Sequence, residues 1–131
     1  MPRFTALVTL LAVIVYFWTV LRVGQARTKF GIKPPATTGN PEFEQIFRVQ
    51  MNTLEWMPIF LPALWLAATY VSDPGAAALG LVWIVGRFLY ARGYAEAPEK
   101  RERGYFIQLI AAGLLWLAAL VGVVKAMIQP L

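Results

Sequence analysis

The chain has 131 residues, 59% of them hydrophobic, and a formal net charge of +5. That apolar share exceeds the roughly 45–50% of soluble domains, and with a mean hydropathy of +0.59 it sets aside a water-soluble helical bundle in favour of a membrane protein. There is no cysteine and no histidine, which excludes disulfides, protein thiolate nucleophiles and the usual zinc ligand sets, so no metal is expected.

In chain order, the first predicted helix covers about residues 4–27. Its stretch Phe4–Leu21 carries no charge, close to the roughly 20 apolar residues needed to cross the hydrocarbon core. It is too long, and too near the other spans, for a cleaved signal peptide, and no small-residue cleavage site precedes Arg22. The following GIKPPATTGNP is a loop by its Gly, Pro and Thr content. Asn40-Pro41 then fits an N-cap with proline at the first helical position. The second helix is predicted over about residues 41–70, with Glu42 and Glu44 at the positive end of its dipole and Pro58 and Pro62 bending it. Ser72-Asp73-Pro74-Gly75 reads as a turn. The third helix, about residues 76–95, has an uncharged run interrupted at Arg87, which must face protein or snorkel if the segment spans. The fourth, about residues 98–127, starts at Pro98 and contains the uncharged stretch Gly104–Val124. The expectation is an all-α, integral membrane four-helix bundle forming one domain over residues 1–131.

Charge placement sets the expected topology. Arg22, Arg27, Lys29, Lys33 and Arg48 flank the first connection, and Arg87, Arg92, Lys100, Arg101 and Arg103 flank the third. Asp73 alone marks the second, so connections one and three are expected on the cytoplasmic side and both termini opposite. No nucleic-acid-binding motif accompanies this basic character, and nucleic acid is not an expected partner; lipid and anionic ligands are.

Two polar stretches interrupt the apolar pattern. Glu44, Arg48, Asn52 and Glu55 recur at steps of four, four and three, one stripe of a helix, with Gln50 on another face. Donor, amide and acceptor in one column suit a small zwitterionic peptide, and they equally suit a polar network that locks helices together. In GRFLYARGYAEAPEKRERGY, Arg87, Tyr90 and Tyr94 share a face. Tyr90 and Tyr94 can line a site or anchor the membrane interface. Arg101, expected with Glu99 and Lys100 in the first turn of the fourth helix, can favour an anion together with free backbone N–H groups, or can simply set topology. A bound thiol is one such anion: its ordinary pKa is about 8.5, and a fixed guanidinium can depress it by roughly one to three units.

The segments ARTKFGIKPPATTGNPEFEQIFRVQMNTLE, FLYARGY and YAEAPEKRERG resemble the MAPEG family, the membrane-associated proteins of eicosanoid and glutathione metabolism. The likeness runs from about Leu21 to Tyr105 and is nearest the leukotriene-C synthase and microsomal glutathione transferase branch. It implies a homotrimer with glutathione, as co-substrate, bound between subunits. By motif, it implies Arg48, Asn52, Glu55, Tyr90 and Tyr94 as ligands from one subunit and Arg27 and Gln50 from the neighbour. Arg101 matches the thiolate-stabilising arginine, with Arg103 the alternative if the register slips. Trp56 stands where the leukotriene-C synthase pattern has tyrosine, which leaves an indole N–H as the only polar contact there; it also suits a lipid-boundary anchor. Thr28 replaces a second arginine after Arg27.

The expected activity is conjugation of glutathione to lipophilic electrophiles, a detoxification chemistry, with reduction of lipid hydroperoxides as a candidate peroxidase side activity. Such electrophiles would arrive laterally, past first-helix residues such as Val20 and Val23. The alternatives are a non-catalytic lipid-binding scaffold of the lipoxygenase-activating type and a small exporter using Glu55 as an intramembrane carboxylate.

Overall fold

The computed structural model describes residues 1–96 and 100–130. Among those residues are four α-helices, α1 (Arg3–Phe30), α2 (Pro41–Tyr70), α3 (Asp73–Glu96) and α4 (Arg101–Ile128). They alternate in direction. Residues Phe4 and Thr5 meet Asp73 at one end, where a Cβ on Gly122 would also touch Tyr70. The first connection, the end of α3 and the start of α4 share the other end, here called the basic end. α2 and α3 are central, each packing on the other three helices; α1 and α4 do not touch among the described residues.

Local chemistry accounts for the helix ends. The Asn40 side chain accepts from the N–H groups of Glu42 and Phe43 at 2.9 and 3.1 Å, with Pro41 at the first position. α1 continues past Arg27 to Phe30 and stops where Gly31 turns left-handed, φ 66°, and its N–H meets the Arg27 carbonyl. Asp73, read from sequence as part of a turn, opens α3. Its carboxylate accepts from the backbone N–H groups of Phe4 and Thr5, tying down the start of α1. α4 is described from Arg101, with Lys100 preceding it as the cap. The expected start at Pro98 and the place of Glu99 lie outside the described residues.

Among the described residues, three helices are long and apolar enough to cross a membrane: α1, α3 over Asp73–Tyr94, and α4. α2 is not among them, although it has 30 residues; Glu55, Pro58 and Pro62 dilute its apolar stretch. By composition, α2 rather than the Arg87-bearing α3 departs from a simple span. α3 accommodates Arg87 by turning it inward, where it is 1% exposed.

The core explains how the basic end is positioned. Phe60 and Trp83 stack at 3.9 Å with an interplanar angle of 4°. Small residues let α3 and α4 approach backbone to backbone: a Cβ on Gly86 would lie 2.6 Å from the Gln108 nitrogen, and one on Gly104 would run into the Tyr90 nitrogen and the Gly86 carbonyl. Without lipid-phase hydrophobic force, close van der Waals contact of this kind is what holds membrane helices together. The Gly86–Gly104 crossing fixes the rotational phase of α4, and so which of its side chains face Tyr90.

Candidate functional site

At the basic end, α2, α3 and α4 enclose an open cavity of about 480 Å³. α2 contributes Arg48 and Asn52, α3 contributes Tyr90 and Tyr94, and α4 contributes Arg101, Glu102, Tyr105 and Phe106. Five residues singled out in the sequence thus share one wall: Arg48, Asn52, Tyr90, Tyr94 and Arg101.

The wall is aromatic and cationic. Tyr90 meets Tyr94 edge-on at 5.7 Å and lies tilted against Tyr105 at 6.0 Å. The Arg101 guanidinium lies 5.0 Å from the centre of the Tyr94 ring, which limits its freedom. Trp56 is half-buried and packs edge-on against Tyr105 at 6.1 Å. It packs on the back of this wall through Tyr105.

The α2 column divides between the two roles left open by the sequence. Arg48 and Glu55 pair along the helix at 3.3 Å, both side chains more than half exposed; such a pair contributes little stability and is free to exchange for a ligand. Asn52 instead cross-links helices, its Oδ1 accepting from Arg87 at 2.8 Å. Glu55 does not line the cavity, and neither do Arg27 and Gln50. Arg27 is committed within its own chain: its guanidinium donates to the Ala36 carbonyl at 2.8 Å and lies 5.1 Å from the Phe43 ring centre. Gln50 is half-buried on another face of α2.

Arg101 and Arg103 are separated by the fold. Arg101 faces the cavity, whereas Arg103 lines a different hollow with Leu89, Arg92 and Lys100. The suggested entry path along α1 needs correction at Val23, which is 6% exposed and packed with Ala26 and Phe43; Val20 is half-buried. A separate apolar groove of about 430 Å³ lies between α2 and α4, lined in part by Ile59, Leu66, Trp116 and Leu120.

Sequence reasoning missed Glu102, Tyr105 and Phe106. Tyr105 lies four residues after Arg101, so a helical step from that arginine would have found it. It also missed Arg87 and Thr53 as partners, joined at 2.7 Å beneath the cavity. No group of acidic or other ligating side chains that could hold a metal is found among the described residues.

A model of the MAPEG family matches residues 5–121. The chain belongs to the MAPEG family. The match extends from the first turn of α1 nearly to the end of α4, so every residue lining the cavity lies inside it. Among its MAPEG relatives, human microsomal glutathione S-transferase 2 is 42% identical over 124 residues, 95% of this chain and 84% of that protein. Bovine leukotriene C4 synthase is 40% identical over 117 residues, 89% of this chain and 78% of that protein. An uncharacterized protein of Synechocystis sp. is 49% identical over 118 residues, 90% and 86% of the two chains. Within the MAPEG family, the chain is thus similar to the glutathione transferase and leukotriene synthase branch.

Proposed function

We propose that this protein is a membrane-bound glutathione transferase whose cavity at the basic end holds glutathione and ionises its thiol. The observation that carries the reading is the convergence of Arg48, Asn52, Tyr90, Tyr94 and Arg101 on one cavity in a chain similar to microsomal glutathione S-transferase 2. Guanidinium and amide donors suit the carboxylates and peptide carbonyls of the tripeptide. Arg101 stabilises the thiolate, and the protein needs no nucleophile of its own, since activation and proximity supply the rate.

In the proposed step the glutathione sulfur attacks an electrophilic carbon. A C–S bond forms as a carbon–halogen bond breaks, or as an epoxide C–O bond opens and its oxygen takes a proton. A peroxidase reaction at the same site would consume two glutathiones and one lipid hydroperoxide, giving glutathione disulfide, the alcohol and water. Lipophilic substrates reach the site through lipid. The α2–α4 groove, on the outside of the bundle, is apolar enough to carry them. The active unit is a homotrimer, in which Arg27 and Gln50 of a neighbouring subunit complete the glutathione site. The basic end faces the cytoplasm, both termini lie opposite, and the 131 residues act as one domain.

A conjugation assay on purified, detergent-solubilised protein, with a generic aryl halide and with or without glutathione, tests this. Glutathione-dependent product above the uncatalysed rate is expected; none, together with tight lipid binding in the α2–α4 groove, would indicate a lipid-binding scaffold. An exporter built on Glu55 is disfavoured, because that carboxylate is exposed and paired with Arg48 rather than buried.

A further inference from the structure

Arg87 is the most deeply buried charge among the described residues and plays no part in the chemistry above. It is 1% exposed. One guanidinium nitrogen donates to Asn52 Oδ1 at 2.8 Å and another to Thr53 Oγ1 at 2.7 Å. The Thr53 hydroxyl donates in turn to the Val49 carbonyl at 2.7 Å, so its proton is committed and only its lone pair faces Arg87. The guanidinium also lies 4.5 Å from the Tyr90 ring centre. The ion pairs found among the described residues, Lys29–Glu42 and Arg48–Glu55, do not include it. A buried cation held by neutral dipoles and π-faces is costly, and within a membrane bundle such a residue points to function.

We infer that Arg87 is a positioning residue for the ligand cavity: by clasping the Asn52 carbonyl it fixes that side chain so that its NH2 group faces the cavity and selects an acceptor on the ligand. The reasoning is one of donors and acceptors. An asparagine amide has one acceptor end and one donor end. Arginine can only donate, so the flipped rotamer would set N–H against N–H and is excluded. Asn52 lines the cavity while its oxygen points at the buried guanidinium, which leaves Nδ2 as the end presented to a ligand. With Arg48 and Arg101 also donors on that wall, the group seated there is a peptide carbonyl or a carboxylate. Through the Tyr90 ring the same guanidinium steadies the aromatic side of the cavity.

This rests on the glutathione reading for the ligand's identity, but not for the clasp itself, and the test separates the two. The chain has two asparagines, Asn40 and Asn52, so selective 15N-asparagine labelling gives two side-chain amide signals, assigned with Asn40→Asp. In ligand-free protein in micelles, Arg87→Met is expected to move the Asn52 amide signal and speed its proton exchange, Thr53→Val to do so less, and Arg87→Lys to restore part of the wild-type position. An unchanged Asn52 signal in folded Arg87→Met would overturn the proposal. Should that variant not fold, Arg87→Lys and Thr53→Val take its place, and an Asn52 signal unmoved in both overturns it equally. In the second arm, Arg87→Met raises KM for glutathione by about tenfold with a smaller change in kcat, as for one lost hydrogen bond. Asn52→Asp keeps the bond from Arg87 but replaces the donor by an acceptor, and is expected to weaken glutathione binding at least as much. Wild-type affinity in Asn52→Asp would contradict the selection of an acceptor. A wild-type protein that takes up no glutathione would refute the ligand assignment, while the amide signals still decide the clasp.

Discussion

The Gly104–Gly86 crossing predicts a sharp difference between two alanine substitutions on the same helix. A Cβ at Gly104 would strike the backbone of Tyr90, Leu89 and Gly86, whereas one at Gly113 meets nothing within 4 Å. Both changes gain the same intrinsic helix propensity, about 1 kcal/mol for glycine to alanine. Gly104→Ala must also push α3 away from α4, and overpacking against side chains already costs about 1–3 kcal/mol. Here the obstructing atoms are backbone, which cannot rotate aside, so the cost sits at or above the top of that range. The net expectation is a loss of about 2 kcal/mol for Gly104→Ala and a gain of up to about 1 kcal/mol for Gly113→Ala. Thermal unfolding in detergent, followed by circular dichroism, compares them directly. Because Tyr90 and Tyr105 face each other across this crossing at 6.0 Å, Gly104→Ala should also weaken glutathione binding, and Gly113→Ala should not. Equal melting temperatures for the two variants would refute the idea that backbone contact sets the phase of α4.

Single contacts set the other expectations. Gln108 is fully buried, and neither of its amide atoms finds a partner among the described residues; Gln108→Leu should raise the unfolding temperature, since an unsatisfied buried polar group costs about 1–3 kcal/mol. Asp73→Ala removes the acceptor for two backbone N–H groups of α1 and should loosen that helix end, seen as faster proteolysis near the start of α1. Arg101→Ala should lower turnover at neutral pH by roughly eight- to thirtyfold while glutathione binding changes less, the change in thiolate fraction for a thiol shift of one to three units from about 8.5. The sign is definite: thiolate is lost as pH falls through the bound thiol's pKa, so the acid limb of the rate profile moves to higher pH in the variant. Raising the pH toward the free thiol's value of about 8.5 should then recover much of the activity.

What the sequence made legible was mostly local. The Asn40-Pro41 cap needs only its own side chain and the next two amides, and the Arg48–Asn52–Glu55 stripe is visible from helical period alone. Which face of α4 lines the cavity depends on a meeting between Gly86 and Gly104, residues on different helices, and Glu102 and Phe106 were missed for that reason; Tyr105 was within reach of a helical step from Arg101. Arg87 was seen as an interruption in an apolar run; its partner Thr53 has no charge to advertise the contact. The tie between Asp73 and the start of α1 joins residues 69 and 68 positions apart, beyond the reach of any local pattern. Arg27 shows the opposite limit: its loop contacts belong to this chain, and the role the family resemblance gives it requires a neighbouring subunit.

Most directly at stake is the proposed ionisation of a bound thiol by Arg101 within the cavity shared by α2, α3 and α4. Thiolate absorbance near 240 nm, a roughly general property of ionised thiols, measures that state directly when glutathione is added to the purified protein at neutral pH. A stoichiometric band in the wild-type protein, strongly reduced in Arg101→Ala at saturating glutathione, is the predicted result. No band in the wild type, or the same band in both proteins, would contradict the account.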